Sequence, residues 1–99
     1  MTAPQHTPAD RIAALHAIRD RNPGLVAAAQ RTRLLEALQT LGYVTTFEGS
    51  RFLDCYDVRA RKMELVNAGH RVIMNWIVTE TEAGVRHRIG QYTLVKGKA

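Results

Sequence analysis

The sequence predicts one α+β domain with the winged helix-turn-helix architecture, in which three core helices precede a C-terminal β-hairpin, the wing. Three features support this prediction: a long apolar helix that ends at Gly42, two capped helix starts at Thr45 and Asp57, and a β-rich run from Val72 onward. Ninety-nine residues are enough for one such domain with a tail. We expect the domain to span residues 23–95.

The first core helix is predicted from about residue 24 or 25 to Leu41. Asn22 is expected to cap it, with Pro23 in its first turn, and Gly42 to end it in the left-handed conformation. Leucines at three- and four-residue spacing form an apolar stripe, namely Leu34, Leu35, Leu38 and Leu41. The polar side chains placed largely off that stripe are Arg31, Arg33, Glu36 and Gln39. The stripe is the face expected to bury against the rest of the domain.

The second core helix is predicted to start with a capping box, in which a threonine precedes a glutamate by three residues. Thr45 and Glu48 have this spacing, and the helix is expected to continue to about Leu53. Gly49 lies inside it and costs about 1 kcal/mol relative to alanine. Tyr43 and Val44, just before the box, form an extended link or a first strand.

The third core helix is predicted over residues 58–68. Asp57 caps it after a break at residues 54–57, and Gly69 terminates it. A short helix, a tight break and a basic helix in this order indicate a helix-turn-helix.

The wing is predicted from strands at residues 72–79 and 85–95, joined by a polar turn. Trp76 is expected to pack in the core or within the hairpin, and residues 96–99 form a basic tail. Residues 1–22 are a tail or an extra helix: residues 1–8 look disordered, and the stretch up to Arg21 is weakly amphipathic. A helix packed on the domain, a dimerisation arm and a mobile tail fit that stretch equally well.

The positive charge is concentrated at the C-terminal end of the chain. Residues 58–99 carry eight Lys and Arg against three Glu, which equals the net charge of +5 of the whole chain. The third core helix and the wing lie in this part. Such asymmetry is expected when one face meets a polyanion, although a basic face that serves only solubility would give the same count.

Several short motifs resemble a group of small phage- and prophage-associated helix-turn-helix proteins. They are, in chain order, Gln30 to Leu38, Val44 to Glu48, Val58 to Leu65, Gly69-His70, Trp76 and Gln91 to Leu94. The resemblance covers roughly residues 28–95, and it departs from the group pattern at Lys62 and Gln91. It implies DNA binding by a regulator or an excisionase-like recombination factor, without indicating a target sequence.

The third core helix carries the first candidates for DNA contact. With Val58 at the centre of the buried face, Arg59 and Met63 point outward, and Arg59 is the best candidate to reach base edges in the major groove. Met63 is more simply a packing residue. Arg61 fits either a phosphate contact or an ion pair with Glu48, and Lys62 can bury its stem while its ammonium reaches a phosphate.

The remaining candidates lie outside that helix. Thr46 is expected to offer its hydroxyl and the start of the second helix to a phosphate, and Arg51 lies on a helix that crosses the DNA backbone. Arg86 and Arg88 share one face of a wing strand, which suits phosphates or a minor groove. Solubility of an edge strand is the alternative for that pair.

Other classes of function have weak support. Cys55 with His70 or His87 has no spacing that enforces a catalytic pair or a zinc site, so we expect no enzyme and no cofactor. No apolar run is long enough to span a bilayer, and a lone cysteine fits the reducing cytoplasm of a bacterial host. The alternative to DNA binding is a winged helix that binds another protein. Homodimerisation or cooperative assembly on DNA is a further expectation.

Overall fold

The structure, a computed structural model, describes residues 2–4, 7–80 and 83–96, and only the backbone of residues 2–4. Its elements in chain order are β1 (Thr2–Pro4), α1 (Ala9–Arg21), α2 (Ala27–Leu41), β2 (Tyr43–Thr45), α3 (Thr46–Arg51), α4 (Val58–Asn67), β3 (Val72–Glu80) and β4 (Arg86–Leu94). The three predicted core helices therefore correspond to α2, α3 and α4, and the predicted wing to β3 and β4.

The hairpin is part of a larger sheet with the strand order β1-β3-β4-β2. β4 pairs antiparallel with both β3 and β2, and β1 lies parallel beside β3. The short segment after Gly42 is thus a strand rather than an extended link. The prediction that residues 1–8 are disordered is wrong for Thr2–Pro4, which pairs with residues 78–80; Met1, Gln5 and His6 lie outside the described residues.

The core forms where the helices cover one face of the sheet. Its aliphatic side chains come from α1, α2, α4, the strands and the segment after α3, and they are Leu15, Ile18, Leu34, Ala37, Leu38, Val44, Leu53, Val58, Leu65 and Val72. Tyr92 closes the core from β4, and Met74 and Leu94 pack against its edge. The leucine stripe of α2 is confirmed for Leu34 and Leu38, while Leu35 and Leu41 are only partly buried.

The helix α1 packs into this core through Leu15 and Ile18, which are both fully buried. Of the three possibilities for the segment before residue 22, the structure therefore shows a packed helix. The prediction that Asn22 caps α2 is wrong. Its side chain donates to the carbonyl of Ile18 and to Glu36, so Asn22 closes the end of α1 instead. The cap residue of α2 is Val26.

The prediction for α2 is wrong for Arg33. This residue was placed largely off the buried stripe, but it is only 1% exposed. Its guanidinium donates to the carbonyls of Asn22 and Gly24 at 2.7 and 2.9 Å, and to that of Asp54 at 2.8 Å. Burying a charged group is tolerated only when hydrogen bonds replace its water. Arg33 thereby holds the α1–α2 loop against the turn between α3 and α4.

The capping box of α3 is confirmed. Glu48 N donates to Thr45 Oγ1, and Thr45 N donates to Glu48 Oε1, both at 3.1 Å. The same carboxylate is buried and accepts from Arg11 Nε at 2.7 Å. It also accepts from the Thr7 hydroxyl at 3.3 Å. The box that starts α3 is therefore also the point at which the N-terminal segment is fastened to the domain.

The turn between α3 and α4 is tight because Asp54 adopts a left-handed backbone, with φ of 54°. Aspartate tolerates this region better than most residues. Asp57 then caps α4 by accepting from the Ala60 amide at 3.1 Å, as predicted. The close approach of the two helices leaves no room above Gly49.

Replacing Gly49 with alanine is expected to destabilise the protein, although alanine favours helix. A Cβ at this position would lie 2.5 Å from Cγ2 of the buried Val58, and overpacking of this kind costs about 1–3 kcal/mol. Thermal unfolding followed by circular dichroism should show a lower Tm for Gly49→Ala. Ser50→Ala, one residue along on the exposed side of α3, is the matched control. A Tm for Gly49→Ala equal to or above the wild-type value would contradict the packing described.

Candidate nucleic-acid interface

The helix α4 presents one face to the core and one to solvent. Val58 and Leu65 are buried, while Arg59, Met63 and Val66 are exposed. Arg59 lies in the first turn of α4, which is the part of a helix-turn-helix recognition helix that reaches base edges. The interpretation of Met63 as a packing residue is wrong, because its side chain is 54% exposed. The outward face of α4 is therefore mixed, with a cation beside apolar groups.

Arg61 and Lys62 differ in how far they are engaged within the domain. Arg61 pairs with Glu64 on its own helix, Nη2 to Oε2 at 3.0 Å, and Arg31 of α2 reaches the same glutamate at 2.9 Å. The alternative ion pair between Arg61 and Glu48 is wrong, since Glu48 pairs with Arg11. Lys62 is half-buried and has no acidic partner within the described ranges.

The register of the wing decides which side chains share a face. Residues directly opposite on neighbouring strands point the same way, so Trp76 with Gly90, Val78 with Arg88, and Glu80 with Arg86 lie on one face. That face continues the one that carries Met74 and Tyr92 against the helices. Arg86 and Arg88 are both exposed there, with Glu80 directly across from Arg86.

Thr46 and Arg51 flank this wing face from α3. The Thr46 hydroxyl donates to the carbonyl of Gly90 at 3.3 Å, so the start of α3 lies beside β4 just two residues from Arg88. Arg51 is exposed at the end of α3, with its guanidinium 5.9 Å from the ring centroids of Phe47 and Phe52. The structure thus brings Thr46 close to the wing. The Thr46 hydroxyl already donates its hydrogen bond within the domain.

The cations divide into two groups by their partners. Up to residue 50, each described Arg meets a carboxylate or backbone carbonyls: Arg11, Arg19, Arg21, Arg31 and Arg33. From residue 51 onward, seven cations have no carboxylate within 4 Å among the described residues: Arg51, Arg59, Lys62, Arg71, Arg86, Arg88 and Lys96, of which Lys96 donates to the carbonyl of Gln39. The positive charge that the domain itself does not neutralise therefore lies on α3, on α4, and on the wing strands with the residues that flank them.

Two residues of this surface were not singled out from the sequence as functional. Arg71 is exposed between the end of α4 and β3, and its place right after Gly69-His70 was the available signal. Trp76 was expected to pack in the core or within the hairpin. It is 58% exposed, which excludes the core, and it lies beneath the guanidinium of Arg88 on the other hairpin strand. Only the strand register could have shown that Trp76 and Arg88 share a face.

The described residues offer little for other chemistry. Burial raises the pKa of the Cys55 thiol to about 11, so the thiol is protonated near neutral pH and enclosed. Nowhere in the described ranges do three His, Cys, Asp or Glu side chains gather as a metal-binding set. The helices within those ranges are also too short or too polar to cross a membrane. Burial lowers the pKa of the Arg11 guanidinium, but its hydrogen bond to Glu48 and its charge interactions with Glu48 and Tyr43 together raise this pKa overall.

Three helices, a three-stranded antiparallel sheet and an unneutralised basic surface on the second and third core helices and the wing define a winged helix-turn-helix, a DNA-binding class of domain. A family model described as winged helix-turn-helix domain matches residues 29–97, and the chain belongs to that family. Comparisons with curated proteins and with solved structures gave no significant match. The predicted α+β fold class is confirmed.

Proposed function

We propose that the protein binds double-stranded DNA sequence-specifically, with α4 in the major groove and the wing on the adjacent backbone or minor groove. The observation that carries this proposal is the segregation of cations. Apart from Arg61, the described cations on α3, α4 and the wing lack carboxylate partners among the described residues, whereas those on α1 and α2 are engaged by carboxylates or, for Arg33, by backbone carbonyls. Phosphates are the ligands such a surface suits best.

Within this proposal Arg59 contacts bases, because it is exposed in the first turn of α4 and bound to no acidic residue that the structure describes. Met63, exposed one turn later, suits the methyl group of a thymine. Lys62, Arg51 and Arg86 contact phosphates, and Arg88 contacts either a phosphate or the adjacent minor groove. Arg61 and Thr46, which are engaged with Glu64 and Gly90, orient α4 and α3 and have less capacity left for DNA.

The finer role follows from the resemblance of the motifs to small phage-associated proteins. We propose a phage- or prophage-type regulator, or an excisionase-like factor, that acts in the cytoplasm of a bacterial cell. One small winged helix covers one half-site, so dimerisation or cooperative assembly on DNA belongs to the same proposal.

Neutralising the wing arginines is expected to reduce the salt dependence of DNA binding. Each phosphate contact contributes about 0.9 to the slope of log K against log salt, so Arg86→Gln with Arg88→Gln should lower the slope by about 1.8. Fluorescence anisotropy of a labelled random-sequence duplex, titrated at several salt concentrations, measures the slope.

The matched control is Arg19→Gln with Arg21→Gln, which removes two charges already paired with Asp20 and Glu36 on the α1 side. We expect this control to leave the slope unchanged. Equal slopes for the wing variant and the wild type would remove the wing from the interface. Absence of salt-dependent binding to any duplex would overturn the DNA proposal.

A second candidate, a protein-binding winged helix, is favoured by one observation: Met63 and Val66 are exposed on the outward face of α4. An apolar outward face suits a protein partner better than phosphates. This candidate predicts that the wild-type protein has no salt-dependent affinity for duplex DNA, whereas a base contact by that face predicts DNA binding that Met63→Ser weakens.

A further inference from the structure

Trp76 occupies an unusual place for the one tryptophan of the chain. It lies on the face of β3 that packs against the helices at Met74, but one residue pair further toward the hairpin tip. There it faces Gly90, which has no side chain to cover it, and α3 reaches only as far as the Gly90 carbonyl. The indole is consequently left 58% exposed.

A side chain at position 90, beside the indole, would be packed tightly against its neighbours. A Cβ on Gly90 would lie 3.1 Å from Thr46 Oγ1 and 3.4 Å from both Met74 Cγ and Tyr92 Cε1. Gly90 is therefore explained by close packing with α3. The exposure of Trp76 is a consequence of that packing, and it creates an aromatic surface next to the start of α3.

Arg88 holds one side of this aromatic surface. Its guanidinium carbon lies 5.0 Å from the centroid of the Trp76 ring, which is within the range of a cation–π contact. Such a contact orients the arginine without neutralising its charge, and Arg86 lies on the same face. The surface thus combines an exposed aromatic group with two cations, and Glu80 is the one acidic residue of this face among the described wing residues.

We propose that Trp76 and Arg88 together form a contact site for the DNA minor groove, in which Arg88 enters the groove and the indole packs against deoxyribose and base edges. This rests on the proposed DNA binding and adds a non-ionic contact to it. Among the possible occupants of this exposed aromatic surface, charge favours DNA, because Arg88 lies diagonally across from Trp76 on β4 and Arg86 lies further along the same face. Narrow minor grooves attract arginine, and apolar wedges on minor-groove proteins pack at base steps.

The intrinsic fluorescence of the protein tests this directly, because Trp76 is the sole tryptophan. Titration of the wild-type protein with unlabelled duplex DNA is expected to change the tryptophan emission in parallel with the anisotropy of a labelled duplex. Adding a minor-groove ligand, such as netropsin, to an A·T-rich duplex should reverse the emission change.

A variant separates the non-ionic contact from the ionic ones. Trp76→Ala should weaken binding about tenfold, in line with the contribution of an aromatic residue stacked on nucleic acid, while the salt slope stays at the wild-type value. Trp76→Phe should recover part of the loss. Ile73→Ala, an exposed residue of the same strand on the opposite face, is the control and should bind like the wild type.

The outcomes distinguish this inference from the proposed function. If the labelled duplex binds with salt dependence while the tryptophan emission is unchanged at saturation, Trp76 lies outside the interface and DNA binding stands. A Trp76→Ala variant with wild-type affinity leads to the same conclusion. If no duplex binds, both the proposed function and this inference are overturned.

Discussion

Reversing the charge of Arg59 is expected to weaken DNA binding more than any other single change on α4. A bidentate contact to a base is worth about 1–3 kcal/mol, and a glutamate adds repulsion from the phosphates, so Arg59→Glu should bind about 100-fold more weakly. The side chain is exposed and has no partner in the part of the chain that the structure describes. The fold should therefore be unaffected. Anisotropy with a cognate or random duplex, together with thermal unfolding, measures both effects.

The control for Arg59→Glu needs the same change in net charge outside the proposed recognition helix. Arg19→Glu on α1 provides it, since Arg19 is partly exposed and already pairs with the adjacent Asp20. We expect less than a threefold change in affinity for this control, because α1 is not part of the proposed interface. Equal losses for the two variants would show that net charge alone controls binding, and α4 would lose its assigned role.

Removing the carboxylate of Glu48 is expected to cause the largest loss of stability. In Glu48→Ala the buried Arg11 guanidinium loses its counter-charge, at a cost of about 3–5 kcal/mol. Loss of the α3 cap adds about 1 kcal/mol. For a domain of this size, each kcal/mol lowers Tm by about 4–8 °C. Thermal or urea unfolding followed by circular dichroism should show this drop at low protein concentration.

A double-mutant cycle identifies the cause of that loss. Arg11→Met with Glu48→Gln removes both charges, so the pair should be less destabilised than the sum of the single variants. Asp20→Ala, which breaks the exposed pair with Arg19, should cost less than about 1 kcal/mol. Additive effects of Arg11→Met and Glu48→Gln would contradict the pairing of these two side chains.

The network around Glu48 also explains why α1 belongs to the folded unit. Arg11 donates to the carbonyl of Tyr43 at 2.6 Å, and its guanidinium carbon lies 4.0 Å from the ring centroid of that tyrosine. The helix is thereby joined to β2 and α3 by ionic and cation–π contacts, besides the apolar contacts of Leu15 and Ile18. Glu48→Ala should consequently loosen the N-terminal segment before the rest of the domain, which limited proteolysis can detect.

The order of the helices and the wing could be predicted from the sequence because the signals are local. A capping box spans four residues, a glycine cap depends on its own φ, and Asp57 caps a helix that begins at the next residue. Such signals involve neighbours in the chain, so periodicity and residue type are sufficient to place them. Four features were predicted in this way and are present: the capping box, the start of α4, the Gly42 and Gly69 ends, and the hairpin.

The partners of the charged residues could not be predicted, because they are distant in sequence. Arg33 was placed on the solvent side of α2, yet it reaches carbonyls of the α1–α2 loop and of the α3–α4 turn. An ion pair of Glu48 with Arg61 was one of the two alternatives considered for Arg61, but Glu48 binds Arg11, which lies on a helix whose packing was left open. A helical wheel gives the direction of a side chain but not what the rest of the chain places there.

By itself, the sequence determined the fold class, the boundaries of the core helices to within a few residues, and the excess of positive charge after residue 57. These follow from local backbone preferences and from composition. Only the tertiary structure decided which cations remain free and that Trp76 is exposed beside Arg88, because both depend on strand register and on ion pairs between distant segments. The physical reason is that charge on a surface is set by pairing in three dimensions, whereas the tendency to form a helix or a strand is set largely along the chain.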